Sequence, residues 1–285
     1  GGRIAAVGLA LASAFLFGAM SVALRMALDR DPDVALGTIA TAATALVIAL
    51  GAAAVETPSR GLHLSSAWPF LFLGLLSPGA AQILVTVAIR DSGSSRVSMV
   101  FGTAPLVSVT IALVFLDEPA SVPLIAGAVL VVAGGVLLAR ERERPAHLNR
   151  LGLVFAFAGA TLFAIRDNLV RHLAVDSTAV PPAVAAAAAL LGGTVLIAVW
   201  ARQGIGRRWL PFVPAGVLFG ASYVSLFEAY YRGRVTVVAP LVAIESLVGV
   251  ALSAWLLRDS ELVGKSLVVG AALIVAGGAL IGAFR

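Results

Sequence analysis

Three ionisable side chains sit where a hydrocarbon environment would surround them: Arg166, Asp167 and Glu245. Each interrupts an apolar run, 151–173 for the first two and 235–257 for the third. A charged group at mid-membrane costs about 2.5–3.5 kcal/mol on insertion scales, so such groups are functional candidates by default. Glu245 lies near the middle of its run, beside Ser246. A carboxyl group there can carry a proton or meet a substrate amine, which makes Glu245 a candidate for proton coupling. Arg166 can pair Glu245 or hold a substrate carboxylate in a two-pronged fork. Neighbours on a helix point about 100° apart, so Arg166 and Asp167 are not expected to face one cavity together. Of the two, Arg166 is the stronger candidate.

The elements that must position these groups follow from composition. Of 285 residues, 60% are apolar and only 12% charged, against roughly 25% charged in soluble domains. Such a chain cannot cover its surface in water, which excludes a soluble enzyme, a DNA-binding module and a disordered scaffold. The net charge of +5 comes from arginines scattered singly between apolar runs, not from a nucleic-acid-binding patch. With no cysteine there are no disulfides, thiolate metal sites or cysteine nucleophiles. His63, His147 and His172 fall in loops or at a helix end and form no metal-ligand cluster. No cofactor is implied, and no nucleophile flanked by a base suggests an enzyme.

Crossing a bilayer takes about 20 apolar residues. Runs at 4–24, 34–55, 67–89, 97–116, 120–139, 179–201, 209–227 and 266–284 qualify, as do the two charge-bearing runs. The sequence therefore predicts an all-α membrane protein with ten transmembrane helices, joined by connections too short to fold alone. Trp68, Trp200, Trp209, Tyr230 and Tyr231, at run ends, read as an interfacial aromatic belt. Arg25 and Arg171 read as interface anchors.

The chain also repeats. Residues 127–135 face 270–278 with seven of nine identical, and the same offset pairs Glu118 with Glu261. Nearby offsets pair Trp68 with Trp209, Gly79 with Gly220, Phe17 with Phe163 and Arg25 with Arg171. The polar stretch Arg140–Pro145 divides the halves, giving repeats 1–145 and 146–285. Five spans per half is an odd number, so the second half enters from the opposite face. Two inverted five-helix repeats are typical of secondary transporters, which rock around a central site. There is no room for a nucleotide-binding domain; Gly264-Lys265-Ser266 imitates the tail of a phosphate loop without its leading glycine.

Repeat alignment sets Arg166 opposite Met20, Tyr223 opposite Gln82 and Phe227 opposite Thr86. Faces that correspond in the two halves are expected to line a shared cavity. Phe101 and Pro105 join them from the fourth run, where Pro105 is expected to kink the helix. The candidate substrate-binding set is therefore Met20, Gln82, Phe101, Pro105, Arg166, Tyr223, Phe227 and Glu245.

These features resemble a known family. Leu116-Asp117-Glu118 ahead of Gly127 and Gly134-Gly135, echoed from Leu257-Arg258-Asp259 to Gly277-Gly278, looks like the end of an EamA repeat. Phe17-Gly18 before Arg25, and Phe163-Ala164 before Arg171, resemble the first helix of each repeat. Together they point to the ten-helix drug/metabolite transporter superfamily and, within it, to bacterial YddG-like proteins. The resemblance implies a multi-pass carrier in the inner cell membrane that exports amino acids or other small metabolites. The first helix carries no acidic residue, so a first-helix glutamate mechanism is not implied. The rival within transporters is a sugar-phosphate or nucleotide-sugar exchanger, which would want more than one basic residue in the cavity. The rival outside them is a non-transporting membrane subunit or receptor. Partners are a small-molecule substrate and the lipid bilayer; no oligomeric state follows from the sequence. The face bearing the first loop holds the larger share of Lys and Arg, which by charge predicts termini outside the cytoplasm, whereas the resemblance implies termini inside.

Overall fold

The computed structural model describes residues 2–60, 64–104, 106–107, 122–139, 149–176, 180–202, 204, 206–233, 238, 241–257 and 263–283. Every regular element among them is helical: α1 (Gly2–Arg30), α2 (Val34–Arg60), α3 (Trp68–Gly74), α4 (Ala81–Ser92), α5 (Ser94–Phe101), α6 (Val122–Ala139), α7 (Arg150–Asp176), α8 (Pro182–Ala201), α9 (Val213–Arg232), α10 (Glu245–Leu256) and α11 (Lys265–Ala283). Six stretches are long and apolar enough to cross a membrane: Ile4–Arg30, Val34–Ser59, Trp68–Ser92, Arg150–Ala174, Pro182–Ala201 and Arg207–Arg232.

Local chemistry sets the helix ends. Asp33 Oδ1 accepts the Leu36 N–H at 3.0 Å and so caps α2, satisfying a donor the helix leaves open. Glu56, at the far end of α2, accepts the Ala183 N–H at 2.8 Å and does the same for the start of α8. The chain turns from α4 to α5 at Gly93, whose φ of 84° lies in the left-handed region that glycine tolerates. The expected connection 90–96 is therefore shorter than the charges suggest: α5 begins at Ser94, and Arg96 is fully buried.

Backbone contact holds the helices together, as expected where lipid supplies no hydrophobic drive and small residues permit close approach. A Cβ on Gly74 would overlap the Ala189 carbonyl, and one on Gly192 the Leu71 carbonyl. Between α6 and α11, Gly134 lies against Gly270 O and Gly277 against Gly127 O. One register rises as the other falls, so these two helices run antiparallel.

Two apolar runs read as continuous in the sequence are broken in the structure. A turn at Gly102-Thr103 follows α5, and a turn at Ala243-Ile244 precedes α10. The breaks are alike: Thr103 Oγ1 donates to Val100 O at 2.6 Å, and Ser246 Oγ to Ala243 O at 2.8 Å. They also lie on one another, since Gly102 packs against Ser246 and Gly249 against Ser98. Trp68 and Trp200 are exposed, as the belt reading expects. Tyr230 is not part of a belt, because it is fully buried.

Candidate functional site

The breaks open onto a buried chamber. Its walls come from α1 (Ser13, Phe17), the end of α5 and the turn beyond it (Phe101, Ala104), α7 (Phe163, Ala164, Arg166, Asp167) and α9 (Ser222, Tyr223, Leu226). Val242, Ala243 and Glu245 close it from the second break. The space for water centres is about 40 Å³, room for about three waters at roughly 10–15 Å³ each. A metabolite therefore enters only when the walls part.

One end of the chamber is aromatic. Phe17 and Phe163, equivalent in the two halves, meet edge to face at 5.7 Å, and Phe101 sits 5.4 and 5.5 Å from them. The charges gather beside it. The Arg166 guanidinium lies between two rings, 4.6 Å from Phe163 and 4.8 Å from Tyr223. Ring faces favour a cation there by up to about 2 kcal/mol once water is excluded. The Tyr223 hydroxyl donates to Ser77 O at 2.9 Å. That carbonyl is available because Ser77 leaves the helical region (φ −146°, ψ 116°) ahead of Pro78.

Arg166 donates Nε–H at 2.8 Å and Nη2–H at 2.5 Å to the same oxygen, Oδ1, of Asp167. Arg166 also interacts with the Tyr223 hydroxyl, and Asp167 with that of Tyr230. Glu245 is 6% exposed, opens α10 and aims into the chamber. Its carboxylate has no hydrogen bond or ion pair among the described residues, although Asp167 and Arg166 both lie within electrostatic reach. The chamber thus holds one internally paired cation and one carboxylate with open valences.

Comparison with family models finds the EamA-like transporter family matching twice, at residues 4–140 and 150–283. The chain belongs to the EamA-like transporter family. It is a multi-pass membrane transporter of the drug/metabolite superfamily. Comparison with curated proteins gives no match. A protein crystal structure with 20% sequence identity superposes with a TM-score of 0.68, covering 98% of this chain and 96% of that one. At that identity the likeness shows the fold alone.

In the transporter, the chamber brings together four of the eight candidate residues: Phe101, Arg166, Tyr223 and Glu245. Pro105 lies outside the described residues, as does the loop Leu116-Asp117-Glu118. Met20, Gln82 and Phe227 are fully buried but line no part of the chamber. Phe227 instead stacks behind Tyr223 at 5.2 Å. Both polar atoms of the Gln82 side chain lack a partner among the described residues.

Asp167 corrects the sequence reading. It shares the chamber with Arg166 because the long arginine side chain folds across its neighbour, overriding the 100° between their Cβ directions. Arg166 pairs with Asp167, not with Glu245. Arg25 and Arg171 are also more than anchors. Arg25 donates to Ile89 O at 3.2 Å and Arg90 O at 2.7 Å, and Arg171 to Tyr230 O at 2.8 Å. Both satisfy carbonyls at a helix C-terminus. Ser13 and Ser222, which nothing in the sequence singled out, exchange hydroxyl-to-carbonyl bonds of 3.0–3.1 Å across α1 and α9.

Proposed function

We propose that the chain is a secondary-active exporter of small zwitterionic metabolites, amino acids first among them, and that it works by alternating access around this chamber. One observation carries the reading: the Arg166 guanidinium and the Glu245 carboxylate, which has no hydrogen bond among the described residues, line the same buried space. A cation and an open carboxylate in one chamber suit a molecule bearing both a carboxylate and an ammonium group. The apolar remainder of such a molecule meets Phe17, Phe101 and Phe163. A phosphorylated substrate fits poorly, since Arg166 is the one basic residue among the described residues of the chamber and Asp167 already engages it.

Alternating access draws support from the symmetry of the packing. The antiparallel contacts of α6 with α11, and the matched breaks after α5 and before α10, are what ten helices in two inverted repeats, 1–145 and 146–285, would produce. Glu245 supplies the coupling. A substrate ammonium displaces its proton, so each molecule exported is matched by a proton carried inward. The setting is a bacterial inner membrane, and no catalysis is involved.

Proteoliposomes loaded with a labelled mixed amino-acid pool test the reading. Efflux above that of protein-free liposomes, accelerated by an acidic exterior, is the expected result. Efflux no faster than from protein-free liposomes sinks the amino-acid assignment.

A further inference from the structure

The pair between Arg166 and Asp167 is incomplete in a particular way. Both arginine N–H groups converge on the single oxygen Oδ1 of Asp167. The strongest arginine–carboxylate geometry is a fork in which two parallel N–H groups reach two oxygens. Being next to Arg166 in sequence, Asp167 cannot present that fork. A free substrate carboxylate can. Arg166 itself is fixed between the rings of Phe163 and Tyr223, so exchange of partner moves the carboxylate and not the cation.

A second partner for Asp167 is already in place. The Tyr230 hydroxyl is fully buried beside Asp167 and interacts with it, but makes no hydrogen bond within 3.5 Å among the described residues. A buried hydroxyl without a full hydrogen bond is costly, and a conformation in which Asp167 turns to Tyr230 relieves that cost. Fold alone does not demand these groups. At the equivalent positions of the first half stand Met20, Ser21 and Ile89, which carry no charge.

Resting on the zwitterion reading above, we propose that Asp167 is an internal stand-in for the substrate's carboxylate. It holds Arg166 while the chamber is empty and passes to Tyr230 when substrate docks. An empty carrier with a bare arginine would have to carry an unpaired charge through its return. With Asp167 in place the empty carrier returns at little cost, so the transporter runs net export and is not confined to one-for-one exchange.

The test uses the full chain in proteoliposomes loaded with the labelled mixed amino-acid pool. Efflux is measured into plain buffer (net export) and into buffer containing the unlabelled pool (exchange). Wild type is expected to support both. In Asp167→Asn, which keeps the shape but leaves Arg166 uncompensated, net export should fall about tenfold or more relative to exchange. The external pool concentration that half-saturates exchange should fall with it, because the substrate's carboxylate no longer has a competitor. In Tyr230→Phe, which removes the resting place of the displaced Asp167, half-saturation should rise about tenfold. If net export and exchange fell together in Asp167→Asn and half-saturation rose, Asp167 would be an orienting partner of Arg166 and the proposal would be wrong. Unchanged half-saturation in Tyr230→Phe would overturn it independently, even if the Asn variant failed to fold. Wild type that moved none of the pool would instead remove the amino-acid reading, and the stand-in role with it.

Discussion

The two halves of the molecule share a scaffold and differ in chemistry. Arg25 and Arg171 do the same work, each tying a helix C-terminus in its own half through Ile89 O and Tyr230 O, which are themselves equivalent. Phe17 and Phe163 meet at the centre as equals. The charges do not follow this rule. Arg166, Asp167 and Tyr223 face Met20, Ser21 and Gln82 in the other half, and the break that carries Glu245 has Gly102 beside its counterpart. The duplicated positions therefore build the scaffold and the apolar wall, and the unmatched ones bring the chamber its charge.

The seams between the halves differ in the same sense. Where α1 meets α9, Ser13 and Ser222 bind each other's carbonyls at 3.0–3.1 Å. At the corresponding place between α4 and α7, Gly159 passes close to Val85 and the Ala81 carbonyl with no hydroxyl to bond. One seam is polar at this point and lines the chamber; the other is closely packed here and takes its hydrogen bonds at its end, where Ser92 donates to Asn149 O at 2.8 Å.

Replacing Arg166 with its first-half equivalent sharpens this contrast most. Arg166→Met leaves Asp167 buried and uncompensated, a loss of about 3–5 kcal/mol by analogy with broken buried pairs. Thermal unfolding in detergent should shift down strongly, and flux should drop to background. A stable, active variant would break the claim that the unmatched residues carry the function.

Arg25→Met and Arg171→Met come next, and here the comparison predicts likeness. Each removes hydrogen bonds from a charged donor, worth about 1.5–3 kcal/mol. Arg25 should cost somewhat more because it also pairs Asp29 at 3.0 Å. Thermal unfolding reads both, and the folded fraction of each should transport. Selective loss of flux in Arg171→Met, with stability like that of Arg25→Met, would move Arg171 from scaffold to site.

The smallest effect belongs to the polar seam. Ser13→Ala and Ser222→Ala should each lower stability by about 0.5–1.5 kcal/mol. Because the hydroxyls bond one another, the double variant should cost less than the sum, which a double-mutant cycle measures. Strict additivity would mean that the seam is two unrelated contacts.

Much of the scaffold was legible because membrane solvation writes itself into composition. Runs 4–24 and 34–55 fall within α1 and α2, which continue past them to Arg30 and Arg60, and run 179–201 ends with α8 at Ala201. The breaks at Gly102-Thr103 and Ala243-Ile244 were not legible, since hydropathy continues through them unchanged and the signal is a hydroxyl bonding back to a carbonyl. In the site, Arg166 and Glu245 announced themselves by the cost of placing charge in hydrocarbon. Met20 and Gln82 were chosen by correspondence between halves, which fails where the chamber is one-sided, and Phe227 by its helical spacing from Tyr223, behind which it stacks. Asp167 was discounted on helix geometry that considers Cβ directions and not the reach of an arginine.

The central claim is that an open carboxylate at Glu245 receives the substrate's ammonium in exchange for a proton. Amino-acid efflux from proteoliposomes, with and without an acidic exterior, compares wild type with Glu245→Gln. Wild-type efflux should accelerate under the gradient, and the variant, which keeps the shape but cannot bind or release a proton, should lose both the acceleration and most of its flux. A Glu245→Gln variant as fast as wild type, and as responsive to the gradient, would contradict the account.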